Sequence, residues 1–144
     1  MMAKIVDVNM SEKKGVIKQP IEKGFFKIDH GLVGDAHAGN WHRQVSLLGT
    51  ESIEKMKSTG IEGLCSGKFA ENLTTEGIIL YELPVGTKLK IGEVIMEVTQ
   101  IGKECHLGCE IRQLVGDCVM PREGIFTKIL AAGWIKPGDE IELI

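Results

Sequence analysis

The chain has 144 residues, of which 43% are hydrophobic and 26% are charged, and its net charge is −3 at pH 7. This length and composition predict one folded globular domain over residues 1–144. The slightly acidic charge and the lack of a Lys/Arg run argue against nucleic acid as a partner, which needs a positive stripe. Because the longest apolar runs are only a few residues, we expect no membrane-spanning segment and a cytoplasmic protein whose cysteines are thiols.

Two strands and a loop are predicted in the first third of the chain. Eighteen glycines are spread along the sequence, which favours frequent turns and therefore short strands. Apolar residues predict a strand at 4–9 and a short buried strand at 45–49. The segment 10–24 is polar and marked by glycine and proline, so we expect an exposed loop there.

The clearest predicted helix is "TESIEKMKSTG", which begins at Thr50. Thr50 is placed to cap the N-terminus, and the exposed N–H groups of the first turn favour the carboxylate of Glu51. Ile53 and Met56 fall on one face because they are three residues apart. Gly60 is the expected end of the helix.

From residue 69 onward, apolar and polar residues alternate. In "TKLKIGEVIMEVTQI" two alternating runs flank Gly92 and Glu93, which predicts a β-hairpin with a type II′ turn. The other predicted elements are a helical turn at 109–115 and strands at 124–130 and 139–144. A sheet of short strands has no unpaired edge strands when it closes into a barrel. The predicted fold is therefore mainly β, a closed or nearly closed barrel with one or a few short helices.

The segment "GKECHLGC" brings Cys105, His106 and Cys109 within five positions, and Cys118 follows. These four side chains match the number of ligands that a zinc site needs. However, the C-x3-C-x8-C spacing differs from that of common zinc knuckles, and the adjacent Cys105 and His106 fit one tetrahedral site poorly. A redox pair of Cys105 and Cys109 is sterically allowed in a helical segment. Zinc binding and redox switching both stay open at this point.

One cysteine stands out as a candidate for chemistry. Cys65 and Cys118 are explained by core packing, since small inert thiols are common in cores. Cys105 differs because Lys103 precedes it and His106 follows it, and positive neighbours lower the pKa of a thiol. Cys105 is therefore the candidate nucleophile or soft-metal ligand.

A second group of candidate residues lies in "GLVGDAHAGNWHRQVSL", where Asp35, His37, His42 and Arg43 bring charge and proton-transfer capacity. Arg43 would present a planar fork of donors to a phosphate or a carboxylate. The alternative interpretation is a polar surface loop in which the aspartate caps backbone N–H groups.

A third group is the pair Glu71 and Asn72 in "GKFAENLTTEGI", which interrupts a strand-like segment. The alternative for this pair is a bulge or turn in which the Asn side chain binds backbone groups. By itself the pair indicates no chemistry.

In this order and at these separations, the segments resemble the MOSC family, the domain found at the C-terminus of molybdenum cofactor sulfurases. The resemblance runs from about Val8 to the C-terminus and rests on "GLVGDAHAGNWHRQVSLLGTESIEKM", "FAENLTTEGI", "LPVGTKLKIGEVIMEVTQIGKEC" and "REGIFTKILAAGWIKPGDEIEL". It implies a single stand-alone MOSC domain whose barrel is similar to that of pyruvate kinase. It also implies sulfur or molybdenum chemistry, in which a cysteine carries a persulfide or ligates the molybdenum cofactor.

The resemblance also implies roles for individual residues. The family cysteine corresponds to Cys105 and its histidine to His37, so these two are the implied catalytic residues, with Cys105 also the possible molybdenum ligand. The implied cofactor-binding residues are Asp35, Arg43, Glu71 and Asn72. Arg43 would bind the phosphate of the pterin cofactor, Asn72 would read the pterin edge, and His37 would move a proton or orient the ligand.

The implied function is a sulfur carrier or a molybdenum-cofactor-binding protein that acts through Cys105. Expected partners are a cysteine desulfurase and proteins of molybdenum-cofactor biosynthesis or molybdoenzymes. Pyridoxal phosphate is not expected, because no recognisable cofactor-lysine site is present. Cys109 is an additional thiol that would resolve an oxidised Cys105. Two alternatives stay open: a molybdenum-dependent reductase of N-hydroxylated compounds with a separate electron donor, and a non-catalytic thiol or zinc module.

Overall fold

Strands and one short α-helix make up the part of the chain that the computed structural model describes, residues 3–13, 18–57, 71–102 and 124–144. The strands are β1 (Ala3–Met10), β2 (Gln19–Ile21), β3 (Gly24–Lys27), β4 (Gly31–Leu32), β5 (Val45–Gly49), β6 (Leu73–Glu76), β7 (Lys88–Ile91), β8 (Val94–Ile101), β9 (Ile125–Ala131), β10 (Gly133–Ile135) and β11 (Glu140–Leu143). The α-helix is α1 (Thr50–Lys57), and a 3-10 turn covers Leu80–Glu82. This content confirms the predicted mainly β class.

Seven of these strands close into a barrel, in the order β11-β7-β8-β9-β5-β6-β1, because β1 also pairs with β11. Strand β2 pairs with the end of β1, where Met10 lies opposite Gln19. A closed ring leaves no barrel strand with a free edge. The predicted closed barrel with a short helix is therefore confirmed.

Among the barrel strands that the structure describes, β5 and β6 form the one parallel pair. Two parallel neighbours must be joined by a crossover connection. Helix α1 begins this crossover directly after β5. The carboxylate of Glu51 accepts a hydrogen bond from the backbone N–H of Gly77 at 2.8 Å, which connects the first turn of α1 to the end of β6. The helix predicted from Thr50 is thus confirmed at its N-terminal end, and its predicted stop at Gly60 lies outside the described residues.

The alternating apolar side chains of the predicted hairpin form one part of the hydrophobic core. Leu89, Ile91, Val94, Met96 and Val98 are all 0% exposed. Ile91 lies opposite Val94 across the turn, and Gly92 between them has φ +59°. A positive φ at the first central residue is what a type II′ turn needs. The period-two pattern therefore predicted both the hairpin and its buried face.

The predicted strands at 4–9, 45–49, 124–130 and 139–144 are confirmed as β1, β5, β9 and β11. The prediction of an exposed loop at 10–24 was wrong, because β2 and the start of β3 lie there and the Lys18 side chain is buried. A second sheet, β10-β3-β4, was not predicted. Strands of two to four residues are too short for alternation to be recognised. The helical turn predicted at 109–115 lies outside the described ranges.

Within the described ranges, the structure contains no helix with the length and apolar character needed to cross a membrane.

The packing of the barrel core is tested by replacing Leu47, which is 0% exposed. Leu47→Ala is expected to lower the free energy of unfolding by about 2–5 kcal/mol, because it removes buried methyl groups and leaves a cavity. Leu143→Ala is the control, since Leu143 is 57% exposed and such a change costs about 0.5 kcal/mol or less. Denaturant-induced unfolding measures both values, and equal losses would contradict this placement of the core.

Candidate functional site

Asp35 lies in a tight turn that follows β4. Gly34 has φ +95°, which favours glycine, and an added Cβ there would lie 3.1 Å from the Met10 sulfur. After this turn the Asp35 carboxylate accepts hydrogen bonds from two backbone N–H groups, of Ser11 at 3.1 Å and of His37 at 3.1 Å. The bond from His37 is a local turn of the type that Asp side chains make two residues along the chain. The G-D-x-H segment therefore folds around its own aspartate.

Lys18 enters this turn as the counter-ion of Asp35, and the sequence did not single it out. Its Nζ lies 2.7 Å from Asp35 Oδ1, and both side chains are 0% exposed. The same Nζ lies 3.2 Å from Ser11 Oγ and 3.2 Å from His37 Nδ1. A buried charge is tolerated only when it is paired and hydrogen-bonded, and these contacts satisfy that condition. We call Ser11, Lys18, Asp35 and His37 the lysine cluster.

The lysine cluster keeps Asp35 ionised. Burial by itself raises the pKa of Asp35, but the positive charge of Lys18 and the hydrogen bonds from Lys18, Ser11 and His37 outweigh it and hold the pKa below its usual value. Opposite charge and donated hydrogen bonds both favour the carboxylate form. The cluster therefore contains a fixed ion pair with an imidazole beside it.

A second cluster forms around the side-chain amide of Gln100. Its Oε1 accepts from Arg43 Nε at 3.0 Å and lies 2.9 Å from His42 Nε2. The Arg43 guanidinium also faces the rings of Phe126 and Trp41, at 5.4 and 5.8 Å from their centroids, close enough for cation–π attraction. Its Nη groups have no acceptor among the described residues. We call Trp41, His42, Arg43 and Gln100 the arginine cluster.

The arginine cluster depends on an irregularity in the barrel. The β8–β9 register shifts between Val98 and Gln100, so Thr99 is an extra residue on β8. Bulges of this kind re-aim side chains. The Thr99 hydroxyl lies within hydrogen-bond distance of the carbonyl oxygens of His42 and Phe126, and Gln100 is directed at Arg43. The bulge thus attaches the loop before β5 to the barrel.

Contacts also connect the arginine cluster to the residues that flank 103–123. Gln100 Nε2 donates to the carbonyl oxygen of Gly102 at 2.6 Å. The Gly102 N–H donates to the carbonyl oxygen of Gly124 at 2.7 Å. Trp41 joins the two clusters, because its indole N–H donates to the His37 carbonyl at 2.8 Å and its ring packs edge-on to His42.

Glu71 and Asn72 directly precede β6 and are both 0% exposed. Asn72 Oδ1 accepts from the N–H and the hydroxyl of Ser46 at 3.0 and 3.1 Å, and its Nδ2 donates to the Asn9 carbonyl at 3.2 Å. Glu71 accepts from the Thr74 hydroxyl at 2.7 Å. These contacts connect β1, β5 and β6, as in the alternative interpretation of the pair. Their predicted contact with a cofactor stays a prediction.

The remaining predicted site residues, Cys65, Cys105, His106, Cys109 and Cys118, lie outside the described residues. Among the residues that are described, no three His, Cys, Asp or Glu side chains are grouped to hold a metal ion. Asp35 and His37 are brought together in one cluster and Arg43 in the other. An open depression of about 360 Å³ lies elsewhere, lined by Lys90, Gly92, Gly138, Asp139, Glu140 and Glu142.

A model of a known family matches most of the chain, since residues 34–142 match the family described as MOSC domain. No curated protein matches. Among solved structures, the YuaD protein from Bacillus subtilis is similar over 99% of this chain and 96% of its own, with TM-score 0.83 and 19% identity. YiiM from Geobacillus stearothermophilus matches over 99% and 75%, with TM-score 0.75 and 18% identity. YiiM from Escherichia coli matches over 100% and 70%, with TM-score 0.73 and 17% identity. At these low identities the structures establish a shared fold.

The ion pair predicts a specific dependence of stability on pH. At pH 7, Asp35→Asn is expected to lower the free energy of unfolding by about 3–5 kcal/mol, because Lys18 stays buried after it has lost the carboxylate that lies 2.7 Å from its Nζ. The folded-state pKa of Asp35 is depressed, so its contribution is full above the unfolded pKa of about 3.9 and is lost as pH falls through the folded pKa. The difference between wild type and variant should therefore shrink below about pH 4.

Chemical denaturation of both proteins across this pH range measures the effect. Glu76→Gln is the control, because Glu76 forms an exposed pair with Lys4 at 3.4 Å and such pairs contribute about 0–1 kcal/mol. A loss in Asp35→Asn that stays constant into strong acid would contradict the assignment of the charge to Asp35.

Proposed function

The chain belongs to the MOSC domain family, and from this membership we propose that it carries sulfur as a persulfide on Cys105 and binds the molybdenum cofactor that uses this sulfur. Cys105 is the thiol that follows β8 and has positive neighbours in sequence, which favours the thiolate. A thiolate is both the nucleophile of sulfur transfer and a ligand for soft metals. One side chain therefore serves both parts of the proposal.

In the sulfur-loading step, the Cys105 thiolate attacks the outer sulfur of a donor persulfide. A new S–S bond forms at Cys105 as the S–S bond of the donor breaks, and the donor leaves as a thiolate. The outer sulfur moves without net oxidation or reduction, so no external oxidant is required. A cysteine desulfurase, which carries such a persulfide, is the proposed donor in the cytoplasm.

The observation that carries the proposal is the hydrogen-bonded chain from Arg43 through Gln100 to Gly102. Arg43 Nε donates to Gln100, and Gln100 donates to the Gly102 carbonyl. Three residues of chain connect Gly102 to Cys105, and three residues span at most about 11 Å. An arginine with available donors is therefore connected to Gly102, which is three residues from Cys105 along the chain.

The residues of the arginine cluster fit a phosphate-bearing cofactor. The guanidinium offers a planar set of N–H donors that suits phosphate oxygens, and only its Nε is used among the described contacts. Cation–π contacts with Trp41 and Phe126 hold the plane in place. When bound, the cofactor would supply a thiophilic metal centre. The protein would hold its phosphate at Arg43 and offer the Cys105 thiolate.

In this proposal Glu71 and Asn72 support the arginine cluster by holding the strands beneath it. Because Asn72 is fully buried and hydrogen-bonded to Ser46 of β5 and to Asn9 of β1, it holds β1, β5 and β6 in register, and Glu71 accepts a local hydrogen bond from Thr74 of β6. The loop that carries Arg43 leads directly into β5. The pair therefore positions the arginine cluster through the barrel wall.

The persulfide is tested by intact-mass and peptide mass spectrometry after incubation with a cysteine desulfurase and cysteine. Wild type is expected to gain one labile sulfur on the peptide that contains Cys105. Cys105→Ser should gain none, while Cys65→Ser, the matched control, should load like wild type because Cys65 is assigned to packing. Equal loss in both variants would contradict the proposal. No loading in folded, reduced wild type would leave cofactor ligation as the role of Cys105.

The phosphate contact is tested with Arg43→Met, which keeps an apolar stem between the two rings. Hydrogen bonds to a charged group contribute about 1.5–3 kcal/mol each, so the affinity for molybdopterin should fall about 10- to 100-fold. Sulfur loading from the desulfurase should be unchanged, because that step does not use Arg43. Lys128→Met, which removes a surface charge paired with Glu97, is the control. Unchanged affinity in Arg43→Met would rule out this phosphate site.

A further inference from the structure

We infer that Gln100 is a positioning residue that fixes the Arg43 guanidinium by a neutral hydrogen bond and leaves its charge uncompensated, so that the two Nη groups of Arg43 bind an oxyanion. The residues involved all lie in the described ranges, and the ligand is a free oxyanion in solution. This role deepens the proposed function, on which it rests, because Arg43 is the residue assigned there to the phosphate of the cofactor.

The direction of the Gln100 side chain is set by the bulge in β8. Regular alternation would place Gln100 on the face of Met96 and Val98, which are both 0% exposed. The register shift instead places Gln100 opposite Phe126, whereas Val98 lies opposite the neighbouring Thr127. Because adjacent residues of a strand point to opposite faces, the shift moves Gln100 from the face of Val98 to that of Phe126. The bulge therefore brings a side-chain amide out of the core.

The orientation of the Gln100 amide follows from its partners on both sides. The Arg43 Nε–H group can only donate, so the atom that lies 3.0 Å from it is the amide oxygen. The Gly102 carbonyl can only accept, so the atom that lies 2.6 Å from it is the amide nitrogen. His42 Nε2 lies 2.9 Å from the same amide oxygen and therefore also donates to it. Two N–H groups thus converge on one uncharged oxygen.

This arrangement leaves the outer edge of the guanidinium available. Gln100 occupies Nε, and the two Nη groups have no acceptor among the described residues. Arg43 is half-buried, and its guanidinium lies 5.4 Å from the ring centroid of Phe126 and 5.8 Å from that of Trp41. An arginine held in this way presents two parallel N–H donors, which match two oxygens of a phosphate group.

The neutrality of Gln100 decides how strongly that edge attracts an anion. A carboxylate in its place would accept the same hydrogen bond from Nε, but its negative charge would offset the positive charge of Arg43. The lysine cluster shows that second arrangement, since Lys18 lies 2.7 Å from the carboxylate of Asp35. Arg43 forms no ion pair with a carboxylate of the described ranges, so its charge is available to a ligand.

Neutrality is tested with Gln100→Glu and inorganic phosphate as the probe. Phosphate is titrated at constant ionic strength near neutral pH, and ¹H–¹⁵N spectra follow the Arg43 Nε–H signal, which is assigned by its absence from Arg43→Lys. Wild type should show a shift that saturates, and Gln100→Glu should bind phosphate about 10-fold or more weakly. Gln19→Glu is the matched control, because Gln19 is exposed on β2. Equal affinity in Gln100→Glu and wild type would overturn the inference.

Positioning is tested with Gln100→Leu, which removes the acceptor and keeps a side chain of similar size. The Arg43 Nε–H hydrogen should exchange with water faster in Gln100→Leu than in wild type, and phosphate affinity should fall. In Gln100→Glu the exchange should stay slow, because Nε keeps an acceptor, although phosphate binding is lost. Unchanged exchange in Gln100→Leu would contradict the positioning role. If the variants unfold, wild type alone decides, since Nε–H exchange as fast as that of free arginine would overturn the inference.

The phosphate site and the role of Gln100 fail in different ways. Saturable phosphate binding that Arg43→Met does not weaken would contradict the phosphate site of the proposed function, and the role of Gln100 would fall with it. If Arg43→Met abolishes binding while Gln100→Glu binds like wild type, the site stands and the role of Gln100 is wrong. The measurements use no sulfur donor, so they do not depend on the persulfide.

Discussion

The pairing of β1 on both of its sides is the constraint on which the rest of the structure depends. β1 pairs with β6 and with β11, and these pairings close the barrel. The Asn9 N–H at the end of β1 donates to the Asn72 carbonyl, and the Ser11 N–H just beyond it donates to the Asp35 carboxylate. The strand that closes the barrel therefore also holds the buried polar network and the lysine cluster in place.

The Lys18–Asp35 ion pair of the lysine cluster holds a third residue, His37, in position. A buried ion pair gives little net stability compared with well-packed apolar residues, although breaking it is costly. Lys18 and Asp35 are both completely buried, so net stability alone does not explain why a charged pair occupies this position. Their shared neighbour is His37, whose ring contacts the lysine and whose backbone N–H contacts the aspartate. The pair therefore fixes the position of His37 beside two buried charges.

The two clusters form one polar region around the loop between β4 and β5. Trp41 connects them through its hydrogen bond to the His37 carbonyl and its ring contacts with His42 and Arg43. The bulge in β8 then attaches this loop to the barrel through Gln100. The His37 ring and the Arg43 guanidinium are thus held on one hydrogen-bonded frame. The planar N–H donors of the guanidinium suit an anionic ligand, which agrees with the cofactor chemistry proposed above.

Local patterns in the sequence predicted much of the fold. Alternation of apolar residues indicated β7 and β8, glycine indicated their turn, and the order of motifs indicated the family. The small sheet of β3, β4 and β10 was missed because its strands are too short to show a period. Asp35 and Arg43 were selected because they belong to a group of ionisable residues beside a short apolar run and because they match motif positions of the family.

The partners of these residues were decided only by the tertiary structure. Lys18 is one of many lysines in the sequence, and nothing local distinguishes it from a solvated one. Gln100 is 57 positions from Arg43, and its direction depends on a register shift between β8 and β9 that no period reveals. The sequence by itself determined the longer strands, the helix start and the family, because these follow from local spacing and residue type. Strand order, register and burial determined which charges meet, because those contacts join residues that are distant along the chain.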